Sequence, residues 1–271
     1  MDLCTVVSEK FIFQAINLIQ SYKINSFDNK VYVYYFNTPP EKLKILKDLS
    51  YGESVVLKEV PLVCAHALAP RAFFYKAYAI NDCLINHSTN MIYSDASNCF
   101  IRPTDSLKED LVDDSMFMTY RNHRLSNQYW TTQKCFEKMN CPGAEVMPQY
   151  WAGFQVYRRT PDNIKFVTEL IDYMKDPDVA LPDTKVKYPD GLDAKCKEHR
   201  QDQSVLSILI HKHDRHQFFD LHKNDRYGDW QTIINFDASY IPNFKKTVLS
   251  PRESKFGDYR YLSKDMRDLV K

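Results

Sequence analysis

Glycine is scarce in this chain, with six in 271 residues. Neither a GxGxxG fingerprint nor a GxxxxGK[ST] loop occurs, which excludes Rossmann dehydrogenases and P-loop enzymes. The seven cysteines are odd in number, scattered, and form no CxxC pair. A disulfide framework or zinc site is therefore not expected, and buried thiols in a reducing compartment are. No apolar run approaches the length of about 18 residues that a membrane span needs. A strand begins almost at Met1, leaving no room for a signal peptide, so the expected location is cytoplasmic unless an anchor has been removed. A net charge of +1 gives no pull toward nucleic acid or an anionic membrane.

The chain is 44% hydrophobic and 26% charged, enough for one globular domain with a substantial core. Residues 3–7 read as a first strand. Ile12, Ala15, Ile16 and Ile19 then fall at helical spacing, with Ser8 as the N-cap. A strand over 30–36, a helix opened by Pro39-Pro40, and a strand over 54–60 complete a βαβαβ run, which predicts a parallel sheet with right-handed crossovers. The ends of the first two strands, Val7 among them, would flank a nucleotide-sized cleft. A helix over 70–86 carries Arg71 and Lys76 near its start. They are either charges on an amphipathic surface or ligands for an anion, which helix N-termini favour.

That helix leads into Met91-Ile92-Tyr93-Ser94-Asp95-Ala96-Ser97-Asn98-Cys99-Phe100-Ile101, an apolar strand broken by a short polar turn. In open α/β sheets the chemistry lies beyond the carboxyl ends of such strands. Asp95 and Ser97 could present two oxygens there for a hard divalent cation, or Asp95 or Asn98 could simply bond its own backbone in a β-turn. Further on, Ala152-Gly153 interrupts an aromatic strand over 150–157. Such a glycine marks either the close approach of a ligand or a bulge beside Trp151. Residues 175–200 are polar and proline-rich, as a lid or an insertion would be. Asp202-Gln203 opens a helix running to Ile210, so Asp202 either complements the helix dipole or acts as an acid–base group. His211, His213 and His216 read as surface polar residues. His222-Lys223 follows an apolar Phe218-Phe219 pair.

Tyr93-Ser94-Asp95-Ala96-Ser97 resembles the DxD segment, commonly YxDAD, of GT-A glycosyltransferases, with Ser97 in place of the second Asp. Ala152-Gly153 is similar to the small-residue segment lining that family's donor-sugar pocket, and Asp202-Gln203 to its Asp-Gln pair beside the transferring sugar. The resemblance spans roughly residues 3–225. It implies an α/β fold of GT-A type: a Rossmann-like α/β/α sandwich with a mostly parallel central sheet and a small antiparallel elaboration. A single domain over 1–271 is expected, with a nucleotide-binding half (1–101), a sugar- and acceptor-binding half (102–235) and a packed tail (236–271).

The implied activity is transfer of a sugar from a nucleotide-diphospho-sugar, UDP-sugar first, to a hydroxyl of a glycan or other acceptor. Asp95, Ser97 and His222 would hold Mn²⁺ or Mg²⁺. Val7, Arg71, Lys76, Asp95, Ala96, Ser97, Ala152, Gly153 and Lys223 would bind the donor, and Asp202 and Gln203 would serve catalysis. A metal-independent enzyme is the variant that Ser97 suggests. The alternatives are a GT-A-fold protein that binds a glycan or nucleotide without efficient catalysis, and a nucleotidyltransferase. The latter lacks its expected glycine-rich basic loop after the first strand.

Overall fold

The computed structural model describes residues 1–26, 28–50, 52–100, 104, 117–181, 195–215, 218–220 and 233–235. Its strands are β1 (Asp2–Val7), β2 (Val31–Tyr35), β3 (Val55–Glu59), β4 (Asn90–Ser94), β5 (Asn98–Phe100), β6 (Phe117–Ser126), β7 (Pro148–Arg158), β8 (Phe218–Asp220) and β9 (Ile233–Asn235). The helices are α1 (Ile12–Asn25), α2 (Pro40–Leu49), α3 (Phe74–Asn86), α4 (Gln133–Met139), α5 (Pro161–Lys175), α6 (Pro177–Ala180) and α7 (Gln201–Lys212).

Seven strands form one sheet in the order β3-β2-β1-β4-β7-β6-β8. The pairs β3/β2, β2/β1, β1/β4 and β6/β8 are parallel. Strand β7 runs against both of its neighbours, β4 and β6. The short strands β5 and β9 form a separate antiparallel pair. Strands from both expected halves of the chain thus share one sheet.

Alternation along β1 builds the layers, because successive strand residues face opposite sides. Cys4 and Val6 pack into the core beneath α3, α5 and α7. Leu3 and Val7 pack into the other core with α1 and Leu46 of α2. The result is the expected α/β/α sandwich. The chain leaves β1 for β2 on one side and returns as β4 on the other. This makes the carboxyl ends of β1 and β4 the topological switch point, the usual place for a ligand crevice.

Local chemistry sets the helix ends. Proline stands at the first position of α2 and of α5, where its missing N–H costs nothing. Thr160 caps α5 by accepting from the Asn163 amide. Ser8 does not cap α1. It precedes a 3₁₀ turn (Glu9–Phe11) without a side-chain cap bond, and the α-helix starts at Ile12. Helix α3 starts at Phe74 rather than Pro70, because Phe73 takes a left-handed conformation with φ 54°. All seven cysteines are free, but only Cys4, Cys83 and Cys135 are buried and the other four are half-buried. No helix among the described residues is long and apolar enough to cross a membrane.

Candidate active site

The end of β4 is held from two directions. Thr5 Oγ1 of β1 donates to the Ser94 carbonyl at 2.7 Å, and the Asp95 amide donates to the Gly153 carbonyl of β7 at 2.9 Å. Asn98 closes a turn through its amide to the Asp95 carbonyl at 3.0 Å. Its side-chain Nδ2 also donates to the Gly153 carbonyl (2.8 Å) and to Ser94 Oγ (2.9 Å). The turn and the site therefore coincide.

Opposite this turn, β7 bulges. Thr119 pairs with Gln155 and the next residue, Tyr120, with Trp151, so Ala152, Gly153 and Phe154 oppose no residue of β6. Such bulges re-aim side chains. The Gln155 side chain returns to donate to the Ala152 carbonyl at 2.8 Å, and accepts from the Tyr157 hydroxyl at 2.6 Å. A side chain on Gly153 would begin 2.6 Å from Trp151 Nε1 and 2.9 Å from Asp95 Oδ2. The glycine is there because two side chains occupy the space a Cβ needs.

Lys76, in the first turn of α3, reaches into this corner. Its Nζ lies 2.9 Å from Asp95 Oδ1 and 3.1 Å from Oδ2. It also lies 3.2 Å from Asp202 Oδ2 in the first turn of α7. The Phe73 ring is 4.8 Å from the ammonium, a cation–π distance. The Tyr93 hydroxyl donates to Asp95 Oδ1 at 2.9 Å. Lys76 and Asp202 side chains are each 13% exposed and that of Asp95 is 26% exposed. Asp202 Oδ2 is close enough to Lys76 for an ion pair but makes no aligned hydrogen bond.

Burial opposes charge on Lys76, but Asp202 and Asp95 outweigh it and hold the ammonium above the ordinary lysine range. Burial also raises the Asp202 carboxyl, assisted by the Asp95 charge and opposed by Lys76. Tyr93 is pushed well up by burial and by the two carboxylates, so it stays a neutral donor.

The start of α7 is itself supported from below. His199 accepts from the Thr132 amide at 3.3 Å, and its other ring nitrogen meets the Val179 carbonyl at 2.9 Å. Arg200 lies over the Trp130 ring at 4.2 Å, and Gln201 takes a positive φ of 32°. Gln203 donates to Gln149 Oε1 at 2.5 Å. Burial lowers the His199 pKa to about 4 while the Val179 carbonyl pulls the other way. A depressed pKa in the folded state contributes stability that is full above the unfolded value near 6.5 and is lost as pH falls to 4. The span corresponds to about 3 kcal/mol at 1.36 kcal/mol per pKa unit. His199→Gln should flatten that acid limb in urea titrations between pH 7 and pH 4. A limb of unchanged slope would refute a buried neutral imidazole.

The structure brings Lys76, Asp95, Gly153 and Asp202 together. Val7, Ala96 and Ala152 are buried in the cores beneath the site. Arg71 is exposed ahead of α3, and Ser97 is half-buried in the turn. The Gln203 side chain is engaged by Gln149. His222 and Lys223 lie outside the described residues, as does His216. His211 and His213 are half-buried rather than surface residues: His211 Nε2 is 3.2 Å from the Pro148 carbonyl, and His213 pairs with Glu169 at 2.6 Å. Sequence patterning missed Tyr93 as a support and saw Asn98 only as a turn residue. Tyr93 was findable, because residues two apart in a strand share a face.

The described residues fit a divalent ion poorly. Asp95 offers the one carboxylate of the motif, and both its oxygens already face Lys76. No group of three or more His, Cys, Asp or Glu among the described residues is placed to hold a metal.

No protein-family model matches the chain, and no curated protein does. Solved structures do. The bifunctional glycosyltransferase WbbM superposes with a TM-score of 0.53 at 10% identity, over 82% of this chain and 39% of its own. An active-site mutant of LgtC gives 0.51 at 14% identity, over 81% and 72%. Mouse xyloside xylosyltransferase 1 gives 0.51 at 13% identity, over 82% and 85%. This chain thus spans well under half of WbbM but most of the other two. At these identities the likeness concerns architecture, and the chain has the GT-A glycosyltransferase fold.

Proposed function

We propose that the chain transfers a glycosyl group from a nucleotide-diphospho-sugar, a UDP-sugar in the first instance, to a hydroxyl of a glycan or other acceptor. The observation that carries this is the meeting of the Asp95 and Asp202 carboxylates on the Lys76 ammonium beside Gly153, at the switch point of a GT-A sheet. Sugar hydroxyls both donate and accept, and a carboxylate–ammonium–carboxylate row offers them both kinds of partner. Asp202 Oδ2, buried 3.2 Å from the Lys76 ammonium, has lone-pair capacity left for one such hydroxyl.

In the reaction the bond from the anomeric carbon to the diphosphate oxygen breaks, and its electron pair leaves with the diphosphate. The acceptor oxygen bonds to the anomeric carbon and loses its proton. If configuration inverts, Asp202 takes that proton, and burial, which raises its carboxyl, moves it toward the range of a useful base. If configuration is retained, Asp202 orients the sugar instead. Val7, Ala96 and Ala152 shape the floor of the donor site, and Arg71 adds positive charge toward the diphosphate.

A thermal-shift panel of UDP-, GDP-, CMP- and TDP-sugars, with and without Mn²⁺, tests the donor class. A product assay tests transfer or hydrolysis. Asp202→Asn should lower turnover about 100-fold, within the usual span for a positioned acid–base group, with donor-induced stabilisation retained. No shift with any nucleotide sugar would sink the proposal. A second reading, binding without efficient transfer, is favoured by Ser97 in place of a carboxylate. It predicts a thermal shift with no product in wild type.

A further inference from the structure

We propose that the Lys76 ammonium stands in place of a divalent cation, so that the Asp95–Ser97 turn is not a metal site. The inference rests on the glycosyl-transfer reading only for what the charge is used for. The geometry stands without it.

Three neighbours crowd the Asp95 carboxylate, which keeps 26% of its side chain exposed. Lys76 Nζ faces both oxygens, at 2.9 and 3.1 Å. The Tyr93 hydroxyl donates to Oδ1 at 2.9 Å. Gly153 closes in on Oδ2 so tightly that a Cβ there would be 2.9 Å away. An ion bound to Asp95 at the usual 2.0–2.6 Å for oxygen ligands would sit within about 5.5 Å of the ammonium. The two cations would then compete for the same lone pairs.

Ser97 offers a neutral oxygen where a hard ion wants charge. The ammonium, by contrast, has partners of the right charge. It has carboxylates of Asp95 and Asp202 on two sides and the Phe73 ring on a third. The two helix starts that deliver it and its second partner both carry non-glycine residues at positive φ, Phe73 at 54° and Gln201 at 32°. Such strain persists only where the surroundings enforce it, and it collects at functional sites. Lys76 thereby holds the one fixed positive charge of the described corner.

Mn²⁺ binding to the protein alone, read from the free-ion electron paramagnetic resonance signal, decides the matter. Wild type should leave the ion free, and Lys76→Met, with Asp95 and Asp202 released, should bind it at least tenfold more tightly. Stoichiometric Mn²⁺ binding by wild type that Asp95→Asn abolishes would overturn the proposal. So would a folded Lys76→Met variant with no gain.

If that variant does not fold, calorimetry on the unaltered chain still decides. UDP affinity in EDTA should lie within threefold of that in Mn²⁺. A tenfold or greater tightening by Mn²⁺ that Asp95→Asn removes would contradict the proposal. Failure of UDP and GDP to bind in either buffer would sink the glycosyl-transfer reading, while the ion measurement on the free protein still decides this one.

Discussion

Lys76→Met should cost about 3 kcal/mol of folding stability at pH 7, the low end of the range for breaking a buried pair, and much less near pH 4. The substitution leaves Asp95 and Asp202 facing each other without the ammonium that lies within 3.2 Å of both. Two carboxylates in that setting repel, and Asp202 is mostly removed from water. Burial already raises the Asp202 carboxyl, with Asp95 adding to it while Lys76 restrains the rise. Removing Lys76 raises it further.

A carboxyl with a raised folded-state pKa costs stability above that pKa and ceases to cost it below the unfolded value near 3.9. The variant should therefore recover as pH falls. The wild-type pair behaves oppositely at the alkaline end. Lys76 has a raised pKa, so its contribution is full below the ordinary lysine value and fades only as pH climbs through the higher folded one. Denaturant titrations at pH 7 and 4.5 measure the difference, with His199 cancelling because both proteins carry it. Adding Asp202→Asn to Lys76→Met should restore at least half the loss. Equal losses at the two pH values would show that the carboxylates are not coupled through the lysine.

Gly153→Ala should cost about 2 kcal/mol, as overpacked positions do, and weaken donor binding at least tenfold. The cost is steric. Among the described residues the glycines at positive φ are Gly52 and Gly143, so an alanine at 153 suffers no backbone penalty. Its methyl would meet Trp151 Nε1 at 2.6 Å, Trp151 Cε2 at 2.7 Å and Asp95 Oδ2 at 2.9 Å. An indole is rigid, and Asp95 is tethered by Lys76 and Tyr93, so the backbone of the bulge must give. The Gly153 carbonyl, which receives the Asp95 amide and the Asn98 side chain, would move with it. Trp151→Leu in the Gly153→Ala background removes two of the three collisions and should return about 1 kcal/mol. A Gly153→Ala protein of wild-type stability and donor affinity would mean the tryptophan is free to leave.

The parallel half of the sheet was readable because its signals are local. Buried strands such as 31–35 run apolar without interruption, and the helices between them repeat every three to four residues. The reversed strand β7 carried no such mark, since strand direction depends on partners and not on pattern. The glycine at 153 did announce a special position. The bulge beside Trp151 holds, and the atoms that crowd the glycine belong to Trp151 and Asp95.

Asp95 and Asp202 were legible as types at suitable places. Their bridging by Lys76 was not, because 126 residues separate Lys76 from Asp202 and no spacing encodes a contact across that distance. Helix α3 was read as starting at Pro70 because nothing in Ala72-Phe73-Phe74 forbids a helix. The left-handed turn at Phe73 is imposed by packing. His211 and His213 were read as surface residues because polar side chains two apart on a helix do not share a face. Each instead found its own partner, on β7 and α5.

The strand order has a consequence for how the chain is made. Strand β6 leaves the ribosome before β7 yet ends up outside it, so β4 cannot acquire its second neighbour until β7 slides between them. Throughout that interval β4, with buried Met91, Ile92 and Tyr93, presents bare amides and carbonyls along one flank, the pattern by which nascent chains stick to one another. The carboxylate at the tip of β4 becomes part of a working pocket only after that gap is filled. If the chain binds a nucleotide sugar as proposed, that ligand would select fully zipped molecules from unfinished ones.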